Sequence, residues 1–258
     1  MLLSKAKNTI KSPDRIRRVT DLMIMQILYR LPKTTRQKIF IGEQHCCPIC
    51  DSNLRTFLAL QRPYHAWCPV CRSLQRHRLV WLYLNRKTDL FDKTPKRMLH
   101  FAPEPALMEA VSSQSYIDYL TADLYDLNAM VAMDISNIQY PDASFDVIYC
   151  SHVLEHVPDD RLAMQELRRV IKDDGWAVII VPIVSDVTIE DPTVSDPLER
   201  ERLFGQVDHV RVYGPDVEDR LMDAGFQVTR TSTLDVATDE EAQYFGLDLN
   251  DKIFLCRK

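Results

Sequence analysis

From residue 96 onward, short apolar runs alternate with amphipathic stretches, and this alternation constrains the fold more than any other feature of the chain. The strand-like runs are RMLHFA (97–102), YIDYLTA (116–122), FDVIYC (145–150), WAVIIVP (176–182), FQVTRTS (226–232) and KIFLCR (252–257). Most are rich in β-branched or aromatic residues, and all are too short for a buried helix. Helix-like segments lie between them, notably DRLAMQELRRVIKDDG, which Asp159 or Asp160 can cap and Gly175 can end. Parallel strands need crossover connections, and those are right-handed, so the expected fold is α/β with a doubly wound, mostly parallel sheet. The last two strands are joined by TLDVATDEEAQYFGLDLND, which carries no long helical pattern. They are expected to pair antiparallel at one edge.

Three regions separate along the 258 residues. Residues 1–40 form a basic helical arm, 41–95 a cysteine-bearing module with a connecting helix, and 96–258 the α/β domain. The arm concentrates Lys and Arg against only Asp14 and Asp21. It is read either as a surface for RNA, anionic lipid or an acidic partner, or as a helical extension packed by Leu22, Met23, Ile24, Ile27 and Leu28. The whole chain carries a net charge of -5, which argues against a dominant pull towards nucleic acid. No run approaches the roughly 18 apolar residues of a membrane span. The N-terminus also lacks the apolar core and cleavage site of a secretory signal, so the expected compartment is cytoplasmic.

In that setting paired cysteines point to metal rather than disulfides. Cys47-x2-Cys50 is followed, after seventeen residues, by Cys68-x2-Cys71. Two such knuckles bring four thiolates to one tetrahedral Zn2+. A four-sulfur site has no open position, so the ion is expected to be structural. Asp51 and Arg72 stand where a glycine usually follows each knuckle, and His45, Cys46 and His65 are spare ligands. Arg72, Arg76, His77 and Arg78, in RSLQRHR, are read either as a grip for a phosphate or carboxylate or as a solvated helix face.

Ligands of a doubly wound sheet sit beyond the carboxyl ends of its strands. Here those ends carry His100 to Glu104, Asp123, Asp134 after the short run VAMDI, and Cys150-Ser151-His152. Asp123 lies 23 residues beyond His100, near the offset at which an acid meets ribose hydroxyls. The first strand runs into LHFAPEP, a turn with no glycine but two prolines and a glutamate.

The segment MDISNIQYPDASFDVIYCSHVLEHVPDDRLAMQELRRVIKDDGWAVIIVP is more specific. It resembles the class I S-adenosylmethionine-dependent methyltransferases, of the methyltransferase type 11-like branch whose core reads PDxSFDxI, HVLEHV and E..RVLKPGG. The resemblance is dense over 115–182, extends over 96–258, and implies a seven-stranded, Rossmann-like methyltransferase sheet. The cysteine pairs, the SLxRHR-like helix start, FGQVDHVRVYG and AGFQV resemble a bacterial subgroup with an N-terminal zinc-binding module. By this resemblance Asp123, with Leu124 beside it, matches the acid that holds the ribose. Asp134 and Ile135 match the pair that meets the adenine. Cys150, Ser151 and His152 match the loop flanking the methionine moiety. The first motif departs: His100 stands for the family's acid, Ala102 for its first glycine and Glu104 for its second. A pyrophosphate would be opposed by Glu104. S-adenosylmethionine carries no phosphate, so the amides of Ala106 and Leu107 can still hold its carboxylate while Glu104 either meets its ammonium or sulfonium, or faces solvent or caps the helix.

Methyl transfer to oxygen or nitrogen calls for a base near neutrality. His152, His156 and His209 are the candidates, with Glu155 between the first two and Tyr213 as a group to orient the acceptor. The expected activity is methyl transfer to a small-molecule or saccharide-like acceptor. The competing readings are an RNA methyltransferase, which the acidic chain does not favour, and a non-catalytic cofactor-binding or interaction protein.

Overall fold

The computed structural model describes residues 23–59 and 66–258. It divides into two compact units. One comprises the described residues up to Leu82 together with Pro105–Leu107 and Ala237–Asp248; the other comprises Tyr83–Glu104, Met108–Val236 and Leu249–Lys258.

In the first unit, residues 23–30 and Lys33–Phe40 are helical. Leu22 lies outside the described residues. Met23, Ile24 and Ile27 are exposed, so the expectation that they pack the arm down does not hold for them. Strand β1 (Ile41–Cys47) pairs antiparallel with β2 (Ser52–Leu54), and β3 (Leu58–Ala59) pairs with β4 (Ala66–Trp67). Their small core is Cys47, Leu54, Phe57, Cys68 and Val70. The helix Asp239–Phe245 belongs to this unit and opens with a capping box, Thr238 and Glu241 satisfying each other's backbone amides. The loop with no long helical pattern therefore supplies a structural part of the cysteine unit.

The second unit holds a seven-stranded sheet. Its strands are β5 (Lys96–Phe101), β6 (Ile117–Asp123), β7 (Val131–Ala132), β8 (Phe145–Ser151), β9 (Ile171–Ile180), β12 (Gln227–Ser232) and β13 (Lys252–Arg257), in the spatial order β12-β13-β9-β8-β5-β6-β7. All neighbours pair in parallel except β13, which runs against both β9 and β12. The order reverses between β5 and β8, the switch point beyond which such sheets bind their ligands. Near-continuous burial along β8 and β9 reflects a sheet covered on both faces. The helix Asp160–Val170 lays Ala163, Met164, Leu167 and Val170 into this core.

That helix ends five residues earlier than its periodicity implies. Ile171 already pairs with Phe145 in β8, and the register then slips so that Val147 meets Trp176. Gly175 is not a helix cap. A Cβ there would lie 2.7 Å from the Asp146 carbonyl, so glycine allows the returning strand to close on β8. Two further short strands, β10 (Ile189–Glu190) and β11 (Arg211–Val212), pair antiparallel in the insertion after β9. No helix among the described residues is long and apolar enough to cross a membrane.

Candidate functional site

Strand β1 ends at Cys47 and the turn after it carries Cys50, while the turn after β4 carries Cys68 and Cys71. The four sulfurs lie within 4.8 Å of one another, with 3.6 Å between Cys47 and Cys71 and 3.8 Å between Cys50 and Cys68. Four sulfurs around one zinc at about 2.3 Å are separated by roughly 3.8 Å, the edge of that tetrahedron. Asp51 (φ 50°) and Arg72 (φ 69°) occupy the left-handed region that normally calls for glycine. The knuckle geometry is thus kept without it. Ser73 Oγ sits 3.3 Å from Cys47 Sγ and 3.2 Å from Cys71 Sγ, and the Val70 amide donates to Cys68 Sγ at 3.4 Å. Of the spare ligands, His45 turns Nδ1 to the Gln243 carbonyl and Cys46 stays outside the cluster. His65 lies outside the described residues.

Arg78 is no surface grip for an anion. It is fully buried, donates to the carbonyls of Ala66, Ser73, Phe245 and Gly246, and lies 4.0 Å over the Phe57 ring. A buried cation bonded only to neutral groups, four carbonyls and the Ser73 hydroxyl, needs negative charge nearby. The thiols supply it. Burial pushes the Cys47 thiol up, but hydrogen bonds from the other three cysteines and the Arg78 charge take it well below the usual range. Hydrogen bonding with Cys47 pushes Cys50 and Cys68 up instead. Crowded thiols share protons in this way; a cation at their centre lets all four ionise.

At the carboxyl edge of the sheet, β5 delivers His100 into the interior, with no exposed surface. Its Nδ1 is 2.6 Å from Tyr119 Oη and its Nε2 is 2.9 Å from Glu104 Oε2. A carboxylate only accepts, so Nε2 carries the proton and Tyr119 donates to Nδ1. Burial and the nearby Glu104 charge push the Tyr119 hydroxyl well above its ordinary range, which keeps it a donor. Tyr149 donates to Glu104 Oε1 at 3.3 Å. Glu104 therefore neither faces open solvent, with a side chain 13% exposed, nor makes a side-chain cap for the helix Pro105–Ser112. The turn after β5 thus holds an oriented carboxylate, fixed by a buried histidine. Ala102 takes the left-handed φ of 49° that glycine would adopt at its position.

Asp123 Oδ1 accepts from the amides of Tyr125 and Asp126, and Asp134 Oδ1 from that of Ser136. Leu124 is exposed at 47%, while Ile135 is buried in the main core. Cys150 is fully buried and its thiol is pushed well up by burial, so it stays neutral. Ser151 Oγ is buried without a hydrogen-bond partner among the described residues. His152 follows in the left-handed region (φ 55°), its amide tied to the Ile180 carbonyl.

A short 3-10 turn, Leu154–His156, comes next. Glu155 is 1% exposed, with Oε1 at 3.1 Å from His152 Nδ1. Burial alone would raise its pKa, but the hydrogen bond and charge of His152 hold it below the usual glutamate value. His156 Nδ1 meets Asp208 Oδ2 at 3.2 Å. His209 comes in from the insertion after β9, with Nδ1 at 3.1 Å from the Phe204 carbonyl and its ring 4.7 Å from that of His156. Burial lowers its pKa, leaving the ring neutral. All three histidines expected from the sequence therefore gather around Glu155.

The insertion is anchored by Arg211, Arg220 and Tyr213. Arg211 donates to the carbonyls of Leu154, Val157 and Pro158 and pairs with Glu190. Arg220 bridges Asp160 and Glu190. Tyr213, expected to orient an acceptor, is fully buried and donates to Asp160 Oδ2 at 2.6 Å. It locks the insertion to the helix start and has no surface to offer. Tyr119, Tyr149 and Asp160 were missed because only strand register and chain crossing bring them to His100, Glu104 and Tyr213.

Residues 95–179, which run from β5 to β9, match the protein family described as a methyltransferase domain. The uncharacterized methyltransferase YcgJ of Bacillus subtilis (strain 168) is 32% identical over 75 residues, 29% of this chain and 28% of that protein. The matched stretch thus spans little more than a quarter of the relative. Among solved structures, the YcgJ protein of Bacillus subtilis is 17% identical with a TM-score of 0.44, covering 71% of this chain and 99% of that one. A SAM-dependent methyltransferase from Archaeoglobus fulgidus is 15% identical with a TM-score of 0.47, covering 70% and 93%.

Proposed function

We propose that this protein is an S-adenosylmethionine-dependent methyltransferase acting on a small-molecule or saccharide-like acceptor, with a structural Zn2+ in the module 41–95. The observation that supports the reading is that the family match, residues 95–179, covers the strand ends of β5, β6, β7 and β8, which carry Glu104, Asp123, Asp134 and a Ser151 hydroxyl without a partner among the described residues.

These groups suit a zwitterion without phosphate. Asp123 and Asp134 each keep a second carboxylate oxygen for hydroxyl or amino donors, after the first is used by loop amides. Ser151 Oγ is a buried hydroxyl in need of a partner, which a bound cofactor supplies. Glu104, oriented by His100 and Tyr149, brings negative charge to the cationic end of such a ligand and opposes a pyrophosphate. When bound, S-adenosylmethionine contributes a methyl group activated by its sulfonium.

The chain's share of the chemistry is alignment, exclusion of water and proton removal from the acceptor. His152 is the base. It follows directly after β8, is 28% exposed, and is oriented through Nδ1 by Glu155, which leaves Nε2 to take the proton. The sulfur spacing and the buried Arg78 support a Zn2+ bound by Cys47, Cys50, Cys68 and Cys71.

Calorimetry with S-adenosylhomocysteine tests the cofactor reading. Binding in the micromolar range, weakened about tenfold or more by Asp123→Ala, is expected from loss of a charge-assisted hydrogen-bond pair. No binding, or affinity indifferent to that substitution, sinks it.

A further inference from the structure

Glu155, His156 and His209 each offer a ligand-type atom, and those atoms lie within 4.8 Å of one another. They make no hydrogen bond among themselves. Glu155 Oε2 is buried without a partner among the described residues, and so is His209 Nε2. The two residues are only 1% and 7% exposed. Two orphaned acceptors in the interior are a cost that folding does not leave without compensation.

The surroundings show what compensates it. His209 donates Nδ1–H to the Phe204 carbonyl, and His156 has its Nδ1 on the Asp208 carboxylate. Glu155 has one oxygen engaged by His152 and the other left over. Histidines that bind a metal characteristically give their other ring nitrogen to a carbonyl or carboxylate, which fixes the tautomer with the remaining lone pair outward. Both rings here are arranged in that way. A lone buried water has two protons to donate and could satisfy two of these acceptors, but it cannot serve a carboxylate and two imidazoles together.

We propose that Glu155, His156 and His209 form a second metal site, distinct from the cysteine cluster, for a divalent first-row transition ion such as Zn2+ or Mn2+. Two imidazoles and one carboxylate are the donor set such ions take when a coordination position stays open. The exposed sides of His152 and His156, 28% and 34%, leave room there for an oxygen ligand from outside. The site makes the insertion after β9 part of the metal centre, since His209 reaches the 3-10 turn across 52 residues of chain from His156, beside a backbone bond from the Val210 amide to the Glu155 carbonyl. It stands independently of the cofactor reading.

The test is equilibrium dialysis of the tag-free full chain against low-micromolar Zn2+, with bound metal counted by elemental analysis and native mass spectrometry. The wild type is expected to hold two ions, and His209→Gln and Glu155→Gln to hold one. Mn2+, which thiolates disfavour, is expected to bind once to the zinc-loaded wild type by loss of its free-ion EPR signal, and at least tenfold more weakly to either variant. Cys47→Ser should lose the other zinc and keep Mn2+ binding. One ion in the wild type with no Mn2+ uptake overturns the proposal without recourse to any variant. Two ions in all three proteins overturn it as well.

Discussion

The cysteine unit and the sheet unit solve the same problem by opposite means. In the first, the strands and turns that carry the cysteines share a cluster of only five buried residues, and two of those are metal-type ligands, Cys47 and Cys68. The second packs Phe145, Ile148, Leu167, Ile179 and Phe254 into a continuous core. A segment with so small a core needs another source of free energy, and under the proposed zinc reading the four converging sulfurs would draw it from a bound ion. The sheet unit needs no such device, so its polar clusters are available for chemistry. Both units nonetheless share a habit. With only six glycines in the chain, each places ordinary residues in left-handed backbone: Asp51 and Arg72 in one, Ala102 and His152 in the other.

Metal removal should separate the units most sharply. Structural zinc sites contribute on the order of 10 kcal/mol or more to folding. Chelation under reducing conditions, or Cys47→Ser, is expected to abolish amide-exchange protection in β1 and β2 while β8 and β9 keep theirs. Loss of protection in β8 and β9 as well would break the contrast. The converse change is Leu167→Ala, which opens a cavity in the sheet unit at a fully buried site. Urea melting should show a loss of about 3 kcal/mol, with zinc still bound.

A smaller effect is expected in acid. Hydrogen bonds from Arg220 hold the Glu190 carboxyl below its ordinary range, and those from Arg169 do the same for Glu166. Because the folded values are depressed, their contribution is complete above about pH 4.3 and fades as pH falls through the lower folded values. Melting temperature should therefore drop below pH 4, and Glu190→Gln should flatten that drop. A profile for the variant that matches the wild type would remove Glu190 from the account. The smallest effects concern the missing glycines. Asp51→Gly and Ala102→Gly relieve a left-handed residue against the entropy of a freer unfolded chain, for a net gain of about 0.5 kcal/mol each. A loss at either position in denaturant melts would show that its side chain contributes more than the strain it bears.

The legible part of the site follows from short-range chemistry. Cysteine spacing reports the sulfur cluster because a knuckle is a local turn, with only two residues between Cys47 and Cys50. The strands were legible because burial on both faces demands continuous apolar runs, as in β8. The helix after Asp160 was misjudged at its end because periodicity continues past Val170 while pairing of Ile171 with Phe145 takes over. Local pattern carries no sign of that competition.

By itself, then, the amino-acid sequence determined the alternating α/β class, the four metal-type sulfurs and the strand ends that carry Asp123, Asp134 and Ser151, since each depends on neighbours within a few residues. Only the tertiary structure decided that Glu104 is held by His100 and Tyr149, that Arg78 is an interior countercharge, that Tyr213 is an anchor, and that His209 joins Glu155 and His156. Those outcomes depend on which strands lie side by side and where an insertion returns to the sheet. Such contacts join residues tens of positions apart, and their energies appear only once the chain has closed around them.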